Sequence, residues 1–151
     1  MLGTVEERGA RWLPAREGRS LRIDDVEVTF LWPDSVAVNG AEANEASAVV
    51  LVRYGEFTLL LTGDVSTEVE DRLIRRYGAD LQADVLKAGH HGSLTSTSAE
   101  FLRTVKPDLV VISAGRRNRY GHPAPEVLRR LREARVEIAR TDLEGTISLR
   151  I

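Results

Sequence analysis

Asp84-Val-Leu-Lys-Ala-Gly-His-His-Gly-Ser93 is the stretch whose reading decides the fold. An apolar strand carries the chain in, a glycine releases it, and two adjacent histidines follow. A second glycine and a serine then turn it away. Upstream, Leu59-Leu-Leu-Thr-Gly-Asp64 repeats the design with a carboxylate at the tip, and Asn118-Arg-Tyr-Gly-His-Pro123 lies downstream. The only histidines of the chain are His90, His91 and His122, and all of them lie in these tips. Imidazole and carboxylate at strand ends, held by a rigid sheet, suit a divalent metal.

The strands that feed these tips place the chain in the α/β class. Residues 59–61, 85–87 and 109–113 are apolar runs of the kind a sheet covered by helices requires. Helical patterns alternate with them. Over residues 67–77, Val69, Leu73 and Tyr77 share a face, Thr67-Glu-Val-Glu70 matches a capping box, and Gly78 supplies the stop. Thr97-Ser-Ala-Glu100 reads as a second capping box, opening a short helix through Val105 that Pro107 ends. Pro125 suits a first helical turn, with Val127, Leu128, Leu131 and Ala134 facing inward.

Outside this alternation, residues 21–23 and 26–31 read as strands joined at Asp24-Asp25, and residues 48–53 and 57–62 as a hairpin about Tyr54-Gly55-Glu56. Residues 1–10 read as the end of a helix, 11–13 are too short to assign, and 34–44 form a loop. Residues 136–139 and 146–151 are expected to close the chain as strands around 142–145.

Composition narrows the function classes. At 151 residues the chain is one domain or part of one, and it has the 42% hydrophobic and 29% charged content of a soluble globular protein. A net charge of −2 excludes a globally basic nucleic-acid surface, so contact with a polyanion falls to the local cluster Arg116, Arg117 and Arg119. With no cysteine there is neither a disulfide framework nor a thiolate zinc site. No apolar run reaches transmembrane length.

Each candidate has a plain structural role beside the chemical one. Asp64 either caps the helix that follows or ligates metal with His90 and His91. Strand alternation sets Asp84, Leu86 and Ala88 on one face and Val85 and Lys87 on the other. Lys87 then either snorkels to solvent or steadies developing negative charge in the site. His122 is a loop-fixing residue, a ligand or a proton donor. The hydroxyls of Ser93, Thr95, Ser96, Thr97 and Ser98 suit turns and caps, and no strand–Gly-x-Ser-x-Gly–helix elbow surrounds Ser93.

The same residues carry a family resemblance. Leu60-Leu-Thr-Gly-Asp64, the His-His-Gly-Ser tip, Lys106-Pro107, Val111-Ile-Ser113 and Asn118-Arg-Tyr-Gly-His-Pro123 resemble the metallo-β-lactamase superfamily. The nearest likeness is to the C-terminal domain of ComEC-type competence proteins, which are DNA-uptake channels. Asn44-Glu-Ala-Ser47 resembles that family's Asn-rich Ser segment.

The resemblance runs from about Val26 to Ile151. It implies an αββα sandwich with two metals, zinc or manganese, in the cleft between its sheets. It also implies a metal-dependent nuclease that degrades the non-transported DNA strand. On this reading Asp64 is the bridging carboxylate, His90 or His91 (preferably His91) is a ligand, and Lys87 and His122 line the cleft.

One departure stands against these matches. The family's first motif, His-x-His-x-Asp-His, is absent, and no histidine precedes His90. The chain is therefore expected to be the C-terminal half of such a domain, weak in metal binding and inactive alone. Its implied partners are DNA, the missing half-domain and a membrane channel domain. The implied parent is a bacterial cell-membrane protein holding this domain outside the cytoplasm. An exposed apolar sheet face predicts a homodimer through Val28 and Phe30. The rival reading is a non-catalytic DNA- or partner-binding module of the same fold.

Overall fold

In the computed structural model, residues 13–34 and 44–151 are described. The expectations for residues 1–12 and 35–43 lie outside them. A single seven-stranded sheet, in the spatial order of the sequence, organises the chain. Its first four strands, β1 (Ser20–Ile23), β2 (Val26–Trp32), β3 (Val49–Tyr54) and β4 (Phe57–Leu61), are antiparallel. The sheet then continues in parallel through β5 (Val85–Lys87), β6 (Leu109–Ile112) and β7 (Glu137–Arg140). The sequence signals for β1 to β6 are found within a residue or two of their expected bounds.

The parallel half requires crossovers, and three helices provide them: α1 (Thr67–Tyr77), α2 (Ala99–Val105) and α3 (Pro125–Ala134). Each crossover steps the same way across the sheet. Right-handed connections then bring all three helices to one face. There Val69, Leu73, Phe101, Leu102, Val105, Val127 and Leu131 pack with Leu51, Leu60, Leu86, Val110 and Ile112 into one buried core. The other face carries Val28, Val52, Leu59 and Leu109 in one cross-strand row, and Phe30, Val50, Leu61 and Val111 in the next. These side chains are only half-buried, and among the described residues no helix covers them.

Several local expectations are corrected. Thr67 does not open a capping box. Ser66 is the N-cap of α1, and Glu70 turns into the core instead of reaching back. In α2 the cap is Ser98, whose hydroxyl accepts from the Phe101 N–H, so the frame sits one residue later than the Thr97 motif suggests. Ala134, at the exposed end of α3, faces solvent. The last strand is shifted to Glu137–Arg140, and a short helix α4 (Thr141–Glu144) replaces the expected turn. Residues 146–151 form no strand. Their alternation is real, but strand propensity is fit to a pleated partner, and here the chain has left the sheet.

Candidate metal centre

Three loops at the carboxyl ends of parallel strands bring the predicted residues together. Asp64 follows β4, His90 and His91 follow β5, and His122 lies in the loop after β6. In open α/β sheets this edge collects site residues because every strand delivers its loop there. Backbone bonds lock the loops to one another. The Gly63 carbonyl accepts the His90 N–H at 3.0 Å and the Lys87 ammonium at 3.2 Å, tying the acid tip to the histidine tip. The Gly92 carbonyl accepts the Ala124 N–H at 2.9 Å, tying the histidine tip to the third loop. At Gly92 the backbone has φ +79°, and a Cβ there would lie 2.8 Å from the Pro123 Cβ, so only glycine permits this approach.

Within the cluster, His91 Nε2 lies 3.8 Å from Asp64 Oδ1, and Lys87 Nζ lies 4.0 Å from the same oxygen. The other nitrogen of His91, Nδ1, is 2.7 Å from the Ser113 carbonyl. A carbonyl only accepts, so Nδ1 carries a proton and Nε2 is the ring nitrogen turned toward Asp64. The His90 ring sits 6.3 Å from the His91 ring and 5.9 Å from that of His122. His90 joins the cluster and lines a second cavity together with Asp64. Asp64 does not cap α1, since that place belongs to Ser66.

Lys87 resolves toward the site and not toward solvent. Its burial pushes the ammonium pKa down, against the upward pull of Asp64. His122 is likewise held below the usual imidazole range, by burial first and then by His90 and His91. Asn118 presents it by accepting the His122 N–H at 2.8 Å and donating to the His122 carbonyl at 2.6 Å. His122 Nδ1 is buried and has no hydrogen-bond partner. Arg116 and Arg117 are exposed, while the Arg119 guanidinium lies over the Tyr120 ring.

No family model matches the chain. ComE operon protein 3 from Bacillus subtilis (strain 168) is 37% identical over 150 residues, covering 99% of this chain and 19% of the relative. Competence protein ComA from Neisseria gonorrhoeae is 40% identical over 124 residues, covering 82% of this chain and 18% of the relative. The solved structure of a CmlA beta-hydroxylase E377D mutant superposes with a TM-score of 0.57 at 13% identity, over 93% of this chain and 34% of that one. That structure is a metallo-β-lactamase-fold enzyme, and the likeness extends to the fold alone.

Over most of its length the chain is homologous to a part of these competence proteins, and its fold is that of a metallo-β-lactamase-fold enzyme. It spans under a fifth of the length of these two curated competence relatives. Among its described residues no helix is long and apolar enough to cross a membrane.

Sequence reasoning missed the device that holds the histidine tip in place. The Glu70 carboxylate, fully buried, accepts the N–H groups of Thr97 and Ser98. From the other side, the Arg130 guanidinium donates to the carbonyls of Ser96 and Thr97, each at 3.1 Å, and of Leu94 at 3.2 Å. The turn clamped between them grips Gly89, through Thr97 Oγ1 on its N–H and the Ser96 hydroxyl on its carbonyl. The signal lay in the sequence: Glu70, Leu73 and Tyr77 fall on one helix face at i, i+3 and i+7, so the acid had to enter the core.

Proposed function

We propose that this chain forms one wall of a metal-dependent phosphodiesterase centre that cuts DNA, with Asp64 and His91 as its metal-holding pair. The observation carrying this reading is the 3.8 Å approach of His91 Nε2 to Asp64 Oδ1, with His91 Nδ1 engaged by the Ser113 carbonyl. Zinc takes imidazole nitrogen and carboxylate oxygen at about 2.0–2.2 Å, so one ion fits between two donors at this spacing. A ligating histidine usually fixes its tautomer by donating its other N–H to a carbonyl, as His91 does. When bound, zinc or manganese would supply Lewis-acid charge and a more acidic water.

The chain's own residues supply the surroundings. The Lys87 ammonium stands beside Asp64, where it stabilises negative charge developing on a phosphate. The neutral imidazole of His122 offers a nitrogen that accepts or returns a proton. The His90 ring packs between its neighbours and keeps the tip rigid.

Asp64 and His91 are two donors, whereas a catalytic zinc normally has three protein ligands. Among the described residues no group of three histidine or acidic side chains is placed to hold an ion. This reading therefore expects weak metal binding and no DNA cleavage by the chain alone. The remaining ligands would come from a second layer of the parent domain, laid on the half-buried sheet face. In the parent, a DNA-uptake protein of the bacterial cell membrane, the domain would lie outside the cytoplasm beside a channel domain. The same shortage of ligands favours a second reading, a non-catalytic module that binds DNA or a partner through the fold.

Calorimetric titration with zinc and manganese, run beside a nuclease assay on single- and double-stranded DNA, separates these readings. Weak binding that Asp64→Ala abolishes supports the half-centre, whereas binding indifferent to Asp64→Ala favours the module. Submicromolar binding with metal-dependent cleavage would mean that the chain completes its own site, most directly across a dimer.

A further inference from the structure

Beside His91 lies an open pocket of about 410 Å³ whose walls include Ser113, Asn118, Tyr120 and His122. Its size falls in the range of about 300–1,000 Å³ that small ligands occupy. Tyr120 forms its outer wall and is 67% exposed, a large aromatic area to leave in water. Its ring stacks on His122, with centroids 6.0 Å apart and planes within 18°, and the Arg119 guanidinium sits 5.0 Å from the Tyr120 centroid. Arg116 and Arg117 flank the pocket, exposed and without an ion pair among the described residues. In a chain of net charge −2 this loop concentrates three cations in four positions, 116–119.

An aromatic platform backed by a second ring and a basic rim have one shared ligand chemistry: a flat heteroaromatic ring joined to phosphates. Base–aromatic stacking needs an unpaired base, since in a duplex both faces are already covered.

We propose that this pocket is a nucleobase subsite, in which a base of single-stranded DNA displaces the Arg119 guanidinium from the Tyr120 ring and stacks there while Arg116 and Arg117 hold the flanking phosphates. The proposal rests on the reading of the chain as part of a DNA-cutting centre, and it names the strandedness of that centre's substrate. A base seated here lies next to His91. The adjoining phosphodiester is then carried toward Asp64 and Lys87.

Fluorescence anisotropy tests this with the full chain in EDTA, so that binding is read without metal or cleavage. The probes are a labelled oligothymidylate, an abasic strand of equal length and charge, the corresponding duplex, and an oligouridylate. The oligothymidylate is expected to bind more tightly than the abasic strand and the duplex. Tyr120→Ala should weaken that binding roughly 5- to 150-fold, the range of one lost stack, and Tyr120→Phe should restore it. Arg116→Ala and Arg117→Ala should instead weaken the base-bearing and abasic strands alike and flatten the salt dependence.

Equal affinity for the base-bearing and abasic strands, tighter binding of the duplex, or a preference for the oligouridylate overturns the proposal. Loss of binding in Tyr120→Phe equal to that in Tyr120→Ala overturns it too. Because no metal is present, the stacking result stands or falls separately from the metal titration that tests the phosphodiesterase reading.

Discussion

Asp64 and His91 meet because two different constraints act on residues of ordinary type. Asp64 is delivered by the end of β4, and His91 is aimed by a single bond from its Nδ1 to the Ser113 carbonyl at the end of β6. His122 reaches the same place only because Gly92 lets Pro123 approach. Gly92→Ala adds a Cβ 2.8 Å from the Pro123 Cβ, at a backbone φ of +79°. We expect it to destabilise the fold by about 2–4 kcal/mol, combining left-handed strain with overpacking. Gly121→Ala, also at positive φ but with open space around it, should cost only about 1–2 kcal/mol. Urea denaturation of the two variants, with the His122 ring signals followed by NMR, checks both values. Equal losses would show that the approach at Gly92 is not what fixes the loop.

At the scale of elements, the histidine tip is held by the clamp that Glu70 of α1 and Arg130 of α3 close on the turn before α2. Glu70→Ala leaves the buried N–H groups of Thr97 and Ser98 without an acceptor, an expected loss of about 1–3 kcal/mol by chemical denaturation. The clamp also gives the fold a pH signature. Burial holds the Glu70 carboxyl above its usual 4.5, against the lowering effect of the Ser98 and Thr97 N–H groups. The folded chain therefore keeps this proton to a higher pH than the unfolded chain does. That contribution is fully present below about 4.5 and is lost as pH rises through the raised folded value. Glu70→Gln removes the titration, so the advantage of Glu over Gln should be greatest at acid pH and shrink toward neutrality. An advantage that grows with pH would mean that the two N–H bonds outweigh burial.

For the whole molecule, the asymmetry of the sheet matters most. One face is sealed by α1, α2 and α3, while the other carries half-buried rows that include Val28, Val52, Leu59, Phe30 and Leu61 and that no helix covers among the described residues. Apolar area of this kind, contiguous and rimmed by the site, drives association in water. We expect sedimentation velocity to show concentration-dependent self-association, shifted toward monomer by Phe30→Lys or Val28→Lys. A monomer at all concentrations, with Phe30→Lys unchanged from the parent chain, would show that this face is stable in water as it stands.

Much of this was legible without coordinates. The continuous apolar runs marked β4, β5 and β6 as neighbouring strands, buried on the helix side and mostly half-buried on the other. Three tips holding every histidine marked the loops that the sheet gathers at one edge, because strand ends, imidazoles and carboxylates are written locally. Which donor faces which partner was decided only in three dimensions. That His91 brings its Nε2 to within 3.8 Å of Asp64 depends on a carbonyl 22 positions away. That Lys87 turns inward depends on the Gly63 carbonyl 24 positions away. The displaced helix caps have the same origin: Glu70 fits a capping box by spacing, but two buried N–H groups in a distant turn outcompete its own helix end. Residues 146–151 alternate as a strand should and form none, since pairing needs an edge that tertiary structure did not place beside them. Local pattern sets what a segment can form, and long-range hydrogen bonds and packing select among those forms.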